Sequence, residues 1–264
     1  MRELAQGERI GCYEISKFLG RGGFALVYLA TDPKGEAVAL KMGDVTGGGR
    51  YVTRFMDGTD KPFSHGISPD ESPGEAYFFS LGRRLQRDFL DAEQTDASLQ
   101  MEAELLRPIR HRNLVGIRDL FQHEGRTILV MDYVPGKTLR QRIRRLERIQ
   151  VNHFLTIVHA LQKMAQSGQL PYHGDLKPEN IILKPSGGIV MIDPAFHNAQ
   201  RGITTITPDY NPLLLRNPRA DVMAIGVMLY EIVTGTLPFE EVPWKYASGA
   251  EMGDIERLSL SYFL

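Results

Sequence analysis

Residues 173–183 read His-Gly-Asp-Leu-Lys-Pro-Glu-Asn-Ile-Ile-Leu, and the rest of the chain is organised around this stretch. An apolar run at residues 188–192 follows it and ends in Asp193. The pattern predicts two acids and one amide on short loops between strands, with Lys177 two residues beyond Asp175. One carboxylate can accept a hydroxyl proton, while an amide and a second carboxylate offer the hard oxygen ligands that Mg²⁺ prefers. The grouping therefore favours phosphoryl transfer over the alternative, a polar turn punctuated by proline.

The composition predicts a soluble protein of the cytoplasm. With 264 residues, of which 42% are hydrophobic, the chain can bury one large core or the cores of two small lobes. A formal net charge of −1 argues against nucleic acid or an anionic membrane as the partner. The single cysteine, Cys12, fits a reducing compartment because it cannot form an internal disulfide. Residues 1–6 lack the apolar segment of a secretory signal, and the longest apolar stretch, residues 222–230, is far below the roughly 18 residues of a membrane span.

A glycine-rich turn between two strands lies near the start of the chain. Residues 15–29 read as strand, turn and strand, and residues 37–41 form a third strand that ends on Lys41. Glycine at such a turn lets the backbone lie close to phosphate groups, because a side chain would block the approach. The turn alone is a weak signal, since Ala25 stands where the third glycine of a G-x-G-x-x-G pattern is expected. Taken alone, Lys41 reads as a solvated lysine at a strand end.

In combination, these stretches resemble four motifs of the protein-kinase superfamily: the glycine-rich loop, the V-A-I-K strand, the H-R-D-L-x-x-x-N catalytic loop and the metal-binding Asp. The resemblance covers roughly residues 10–240, apart from an insertion, and the motifs follow the family's order. It implies an α+β, bilobal, protein-kinase-like fold in a single domain, residues 1–264. The small, β-rich N-lobe is expected at about residues 10–131, and the mostly helical, shortened C-lobe at about residues 135–264.

The insertion is expected before the helix that the family calls αC, at about residues 43–94. Its first part has loop composition, with three consecutive glycines at residues 47–49 and several prolines. Residues 75–92 then predict a helix, because apolar side chains recur at spacings of three and four: Phe78, Leu81, Leu85 and Phe89. A decoration packed on the small lobe is favoured over a separate binding site.

The next predicted helix, at about residues 98–109, resembles αC. Glu102 lies nine residues before His111, whose neighbours resemble the turn that follows αC. By that resemblance Glu102 is the partner of Lys41. Glu104 is the competing choice, but its offset of two residues directs it away from the face of Glu102.

The resemblance also implies roles for individual residues. Asp175 is expected to orient and deprotonate the acceptor hydroxyl, and Lys177 to neutralise charge on the transferring phosphoryl group. Asn180 and Asp193 are expected to hold Mg²⁺. The residues expected to bind ATP are Leu19, Gly20, Gly22, Gly23, Val27, Ala39, Lys41, Glu102, Met131, Asp132, Val134 and Ile182.

The sequence departs from the family pattern around the expected site. Gly174 replaces the Arg of H-R-D, which in the family commonly pairs with a phosphorylated residue of the activation loop. Pro194 and Ala195 replace Phe-Gly after the metal-binding Asp. Proline disfavours helical geometry in the preceding residue, so we expect Asp193 to be extended and the segment to hold one conformation. The Ala-Pro-Glu motif that usually follows is not intact.

Two helical stretches of the expected C-lobe carry distinctive side chains. Residues 140–148 hold five arginines, which predict a solvated face, with an acidic-substrate docking patch as the alternative. The following stretch predicts a helix buried through Leu155, Val158, Leu161 and Met164.

The leading functional interpretation is an ATP- and Mg²⁺-dependent serine/threonine protein kinase, because the D-L-K-P-E-N form that contains Lys177 resembles the serine/threonine branch. A pseudokinase that binds nucleotide or a partner without turnover is the first alternative, motivated by the Asp193-Pro194-Ala195 segment. A small-molecule kinase is the second, since His-Gly-Asp is common in sugar, antibiotic and choline kinases. The expected partners are ATP and a protein substrate, with neither nucleic acid nor a membrane span. The oligomeric state stays open.

We expect activity to be independent of phosphorylation at Thr204, Thr205 or Thr207, because Gly174 has no side chain to pair with a phosphate. Phosphatase-treated and untreated protein should transfer label from radiolabelled ATP at the same rate. A large drop after phosphatase treatment would contradict this and point to another cation, such as Arg201.

Overall fold

The computed structural model describes residues 4–22, 25–44, 52–55, 85–88, 92–195, 197–198, 203–204, 207, 209–211 and 215–238. Within them the chain has the expected two lobes, a small one built on an antiparallel sheet and a larger one with most of the helices. No helix in these ranges is both long enough and apolar enough to cross a bilayer. Gly23, most of the insertion, Thr205 and residues 239–264 lie outside the described residues.

The described residues form thirteen strands, four α-helices and one 3₁₀ turn at Pro178–Asn180. The strands are β1 (Arg9–Ile10), β2 (Tyr13–Arg21), β3 (Ala25–Thr31), β4 (Ala37–Gly43), β5 (Val52–Phe55), β6 (Leu85–Asp88), β7 (Ile117–His123), β8 (Arg126–Asp132), β9 (Lys137–Thr138), β10 (Ile181–Leu183), β11 (Ile189–Met191), β12 (His197–Asn198) and β13 (Ile203–Thr204). The helices are α1 (Ala92–Leu106), α2 (Leu139–Arg144), α3 (Val151–Gln166) and α4 (Arg219–Thr234).

The sheet of the small lobe has six antiparallel strands in the order β1-β2-β3-β4-β8-β7. Because side chains alternate along a strand, this sheet presents two apolar faces. One face carries a small core around Tyr28, Leu40 and Val130. The other face, which includes Ala39 and Leu129, packs with α1 in a core that continues into the large lobe. Strand β4 therefore lies between two cores, which fixes its position in the sheet.

Helix α1 begins earlier than the range of residues 98–109 that the sequence predicts. The hydroxyl of Thr95 donates to the carbonyl of Ala92 at 2.9 Å, and that of Ser98 donates to the carbonyl of Gln94 at 2.8 Å. Both side chains therefore bond back within the helix instead of capping its start. The helix runs over Ala92–Leu106, so it also ends before the predicted residue 109.

The predicted helix at residues 75–92 is wrong in the part that the structure describes. Strand β6 occupies the end of that range and pairs antiparallel with β5, with Val52 opposite Asp88 and Phe55 opposite Leu85. A short apolar pattern does not distinguish a helix from a strand, and a distant pairing partner decides between them.

The insertion is shorter than the predicted residues 43–94, because β4 continues to Gly43 and α1 starts at Ala92. Strand β4, before the insertion, and helix α1, after it, pack against each other at Gly43. A β-carbon there would lie 2.4 Å from Oγ1 of Thr95 and 2.6 Å from Nη2 of Arg126, so only glycine permits this approach. Arg126 Nη2 also donates to Asp96 Oδ1 at 3.0 Å, which ties the start of α1 to β8.

Helix α3 is present, Met164 is buried as predicted and Leu161 packs against the core, but the other two residues predicted to be buried are exposed. Leu155 and Val158 are 50% and 42% exposed. The buried residues are Phe154, Ile157, Ala160 and Met164. Apolar side chains stand at adjacent positions, 154 with 155 and 157 with 158, so spacing alone allows two phases of the helix.

Helix α4 anchors the stretch at residues 173–183 through one buried carboxylate. Asp221 accepts the backbone N–H of His173 and that of Gly174, each at 2.7 Å. Gly174 has φ of 81°, and a β-carbon there would lie 3.0 Å from Cβ of Ala195. The two hydrogen bonds hold this turn in a left-handed conformation, which glycine adopts without strain because it has no side chain.

Substitution of Asp221 by Asn should weaken this anchor. An amide has one acceptor oxygen, so one of the two buried N–H groups loses its partner, at a cost of about 1–3 kcal/mol in the free energy of unfolding. Denaturant unfolding monitored by circular dichroism measures the change. The neighbouring Val222→Ala, at a side chain 71% exposed, is the matched control. Equal stability of Asp221→Asn and the control would contradict the anchoring role.

Candidate active site

The ammonium group of Lys41 lies at the centre of the site, between two carboxylates. Its Nζ is 2.7 Å from Oε2 of Glu102 on α1 and 2.8 Å from Oδ1 of Asp193, which follows β11. Lys41 is 4% exposed and Glu102 is 1% exposed, whereas Glu104 is exposed. The predicted pairing of Lys41 with Glu102, and not with Glu104, is therefore present in the structure.

Burial and charge act against each other in this triad. Burial alone lowers the pKa of Lys41, but the attraction of Asp193 and Glu102 outweighs it, so the net effect raises the pKa above its usual value. Burial likewise disfavours the ionised form of Asp193, yet the charge and hydrogen bond of Lys41 hold its pKa below the usual range. The lysine is therefore positively charged and Asp193 is ionised at neutral pH.

A second cluster joins the catalytic-loop candidates to each other. Lys177 Nζ donates to Oδ2 of Asp175 at 2.7 Å and to Oγ1 of Thr207 at 2.7 Å. The backbone N–H of Thr207 donates to Oδ1 of Asp175 at 2.9 Å. Burial raises the pKa of Asp175, and Lys177 opposes that shift. A buried carboxylate with a raised pKa is suited to accept a proton from a hydroxyl group.

Asn180 connects the two clusters and has the chemistry of a metal ligand. Its Nδ2 donates to the carbonyl of Asp175 at 2.9 Å and to that of Asp193 at 3.4 Å, so Oδ1 is the atom of this amide suited to coordinate a cation. With the ionised carboxylate of Asp193 this gives two hard oxygen donors, which fit Mg²⁺. In the described ranges, no group of three Asp, Glu, His or Cys side chains lies close enough together to hold a metal ion. Further ligands would therefore have to come from nucleotide and water.

Asp193 adopts a conformation that the sequence did not predict. Its φ is 53°, in the left-handed region, whereas the following proline was expected to favour an extended backbone. The contact with Lys41 and the hydrogen bond from the N–H of Ala195 to the carbonyl of His173, at 2.7 Å, hold the segment on both sides. A strained backbone of this kind persists where its surroundings determine it, and functional sites are enriched in such strain.

The residues expected to line an adenine site are mostly brought together on one face of the sheet. Val27 lies opposite Lys41 across β3 and β4, and Ala39 lies opposite Met131 across β4 and β8. Since side chains two residues apart share a face, all four point to the side that carries Lys41. Gly20 and Gly22 lie at the end of β2 beside β3, and Val134 follows β8. Ile182 lies on β10, in the separate three-stranded sheet of the large lobe.

Two of the expected nucleotide residues are placed less favourably. Leu19 is 41% exposed and lies in an irregularity of the β2–β3 pairing. The side chain of Asp132 accepts a hydrogen bond from Nε of Arg118 at 2.7 Å, and its backbone N–H donates to Gly116 at 2.9 Å. The side chain and the N–H of Asp132 are therefore both engaged within the small lobe.

Sequence reasoning gave no site role to four residues that the structure places in or beside these clusters. They are Thr207, Asp221, His173 and Arg140. His173 is fully buried, burial lowers its pKa, and its neutral ring donates from Nε2 to the carbonyl of Ile192 at 3.0 Å. Arg140, predicted to be solvated, instead pairs with Glu179 and Glu231. These contacts join residues far apart in the chain, and spacing patterns carry no signal for them.

Comparison with known proteins connects this geometry to a family. Serine/threonine-protein kinase PrkC of Bacillus subtilis (strain 168) is 28% identical over 252 residues, which cover 89% of this chain and 32% of that protein. CBL-interacting protein kinase 16 of Oryza sativa subsp. japonica is 30% identical over 259 residues, which cover 90% of this chain and 47% of that protein. The chain spans less than half the length of either relative.

Solved structures share the fold. PpkA-294 in its apo form has a TM-score of 0.61 at 20% identity, with 97% of this chain and 92% of that chain covered. The PknI kinase domain of Mycobacterium tuberculosis has a TM-score of 0.57 at 22% identity, with 92% and 82% covered. A family model described as protein kinase domain matches residues 86–258, more than half of the chain. The chain therefore belongs to the protein kinase domain family.

Proposed function

We propose that this chain transfers the γ-phosphoryl group of ATP to a serine or threonine hydroxyl of a protein substrate, with Mg²⁺ as cofactor. The observation that carries the proposal is a continuous series of contacts across the site. Lys41 contacts Glu102 and Asp193, Asn180 bridges the carbonyls of Asp193 and Asp175, and Lys177 bonds to Asp175. A phosphate-binding lysine, two oxygen ligands and a base are the parts that phosphoryl transfer needs.

Each group has a physical task in this reaction. Lys41, oriented by Glu102, grips the α- and β-phosphates, and Asp193 together with Oδ1 of Asn180 would hold Mg²⁺, which neutralises phosphate charge. Asp175 orients the acceptor hydroxyl and accepts its proton, and the raised pKa of its carboxyl favours that transfer. Lys177 donates to Asp175 and would stabilise the charge that develops on the transferring group.

The preference for serine and threonine rests on Lys177, because the Asp-Leu-Lys-Pro-Glu-Asn form of residues 175–180 resembles the serine/threonine branch of the family. The hydroxyl of Thr207 accepts a hydrogen bond from Lys177, and its N–H donates to Asp175, so residue 207 borders the place where the acceptor hydroxyl would lie. The name of the relative PrkC specifies a serine/threonine-protein kinase, which agrees with this preference.

Asp175→Asn should abolish phosphoryl transfer to a generic basic protein while ATP binding persists, because the amide cannot accept the proton. Asp193→Ala should also abolish transfer and in addition remove the stabilisation that Mg²⁺ adds to ATP binding. Radiolabelled ATP measures transfer, and thermal shifts with ATP, with and without Mg²⁺, measure binding. Glu104→Gln, an exposed carboxylate-to-amide change on α1, is the matched control.

Full turnover in either Asp variant argues against the assigned roles. Wild-type protein that binds ATP and Mg²⁺ without transferring phosphate to any acceptor would instead support the pseudokinase alternative. Transfer to aminoglycosides, choline or sugars, but not to protein, would support the small-molecule kinase.

As the pH is lowered, the rate of phosphoryl transfer should begin to fall at a higher pH than it would if the base were an aspartate with an ordinary pKa. Burial raises the pKa of Asp175, and only the ionised carboxylate accepts a proton, so activity is lost as the pH falls through that raised value. The pH profile of kcat/KM measures this, with circular dichroism at each pH to confirm that the protein stays folded. A profile that stays flat into the range of an unperturbed aspartate would rule out Asp175 as the base.

A further inference from the structure

Arg140, on α2, joins separate parts of the large lobe through one side chain. Its Nε donates to Oε1 of Glu179 at 2.7 Å, its Nη1 donates to Oε1 of Glu231, and its Nη2 donates to the hydroxyl of Tyr210. The hydroxyl of Tyr210 in turn donates to Oε2 of Glu231 at 2.7 Å. A planar guanidinium group can satisfy three acceptors at once, and a lysine ammonium could not reproduce that geometry.

The part of the network formed by Arg140, Tyr210 and Glu231 is mostly shielded from water, whereas the side chain of Glu179 is 46% exposed. The side chain of Arg140 is 16% exposed and that of Glu231 is 9% exposed. Burial disfavours the charged form of Arg140, but the hydrogen bonds of Glu231 and Glu179 outweigh this and raise its pKa. A neutral side chain at position 140 would leave the carboxylate of Glu231 buried without its cation, so Arg140 is not interchangeable with other polar residues.

The network reaches the proposed site through two further links. The carbonyl of Thr207 accepts the N–H of Tyr210 at 3.1 Å and that of Asn211 at 3.0 Å, which closes a turn. The N–H of Thr207 then donates to Oδ1 of Asp175 at 2.9 Å. From Arg140 the chain of contacts therefore runs through Tyr210 and Thr207 to the candidate base.

We propose that Arg140 is a positioning residue that clamps the Thr207 turn against Asp175 and so places the protein acceptor, without itself touching nucleotide. Glu179, next to Asn180 in the 3₁₀ turn, and Glu231, on α4, give the clamp fixed points on two rigid elements. The effect expected on the kinetics of protein phosphorylation rests on the proposed kinase function. The effect expected on hydrogen exchange of the Thr207 turn rests on geometry alone.

The kinetic test compares Arg140→Gln, Arg140→Lys and the control Arg144→Gln, an exposed arginine of the same helix. For Arg140→Gln, kcat/KM for the protein substrate should fall about tenfold or more, the loss expected for one charge-assisted hydrogen bond. The KM for ATP should stay within about twofold of the wild type, because the nucleotide contacts are untouched. Arg140→Lys keeps the charge and should recover part of the loss. Equal changes in the kinetics of ATP and of the protein substrate would overturn the proposal, since they indicate general destabilisation.

A second measurement does not depend on activity. Hydrogen exchange of a peptide that covers residues 207–211 should be faster in Arg140→Gln than in the wild type or in Arg144→Gln, because Tyr210 loses its anchor. If Arg140→Gln is too unstable to study, Tyr210→Phe takes its place. This variant leaves Arg140 paired with Glu231 and should show the same change in smaller degree. If the wild type transfers no phosphate, the proposed function fails while exchange still tests the clamp. Unchanged exchange in both variants would overturn the clamp itself.

Discussion

The buried charge of Lys41 constrains the arrangement of both lobes. Lys41 is 4% exposed, and a charge so buried is stable only when it is compensated. Removal of one partner from a buried ion pair costs about 3–5 kcal/mol. Glu102 supplies one partner from α1, and Asp193 supplies the other from the large lobe. Because β4, α1 and the loop after β11 must all reach one nitrogen atom, the distance between the lobes at this point is set by charge compensation as well as by apolar packing.

Two of the departures from the family pattern, Gly174 and Ala195, lie next to each other in the structure. Gly174, which lacks the usual arginine side chain, lies where a β-carbon would approach Cβ of Ala195 to 3.0 Å. Ala195 itself stands where the family has glycine, and its N–H donates to the carbonyl of His173. The two substitutions therefore occupy the same small volume. A side chain at position 174 would press on the segment that carries Asp193, so the altered motifs are best understood as one packing arrangement.

The pairing of Lys41 with Glu102 was predicted from the resemblance to protein-kinase motifs, and the helical period of 3.6 residues argued against Glu104. The strand predicted to end on Lys41 is present, but it continues to Gly43. The left-handed backbone of Asp193 and the pairing of Arg140 were not predictable in this way. Both depend on contacts between residues distant in the chain. At Asp193 these contacts override the preference of a residue before proline for an extended backbone, and at Arg140 they override the preference of arginine for an exposed position.

The meeting of β4 and α1 at Gly43 also bears on how the insertion between them can vary. The two ends of that segment are held together by packing of Gly43 against Thr95, whatever lies between them. For a loop with fixed ends, the entropic cost of closure rises only with the logarithm of its length, by about 0.6 kcal/mol for each doubling. Residues could thus be gained or lost there over the course of evolution at little thermodynamic expense, while Lys41, just upstream, keeps its place.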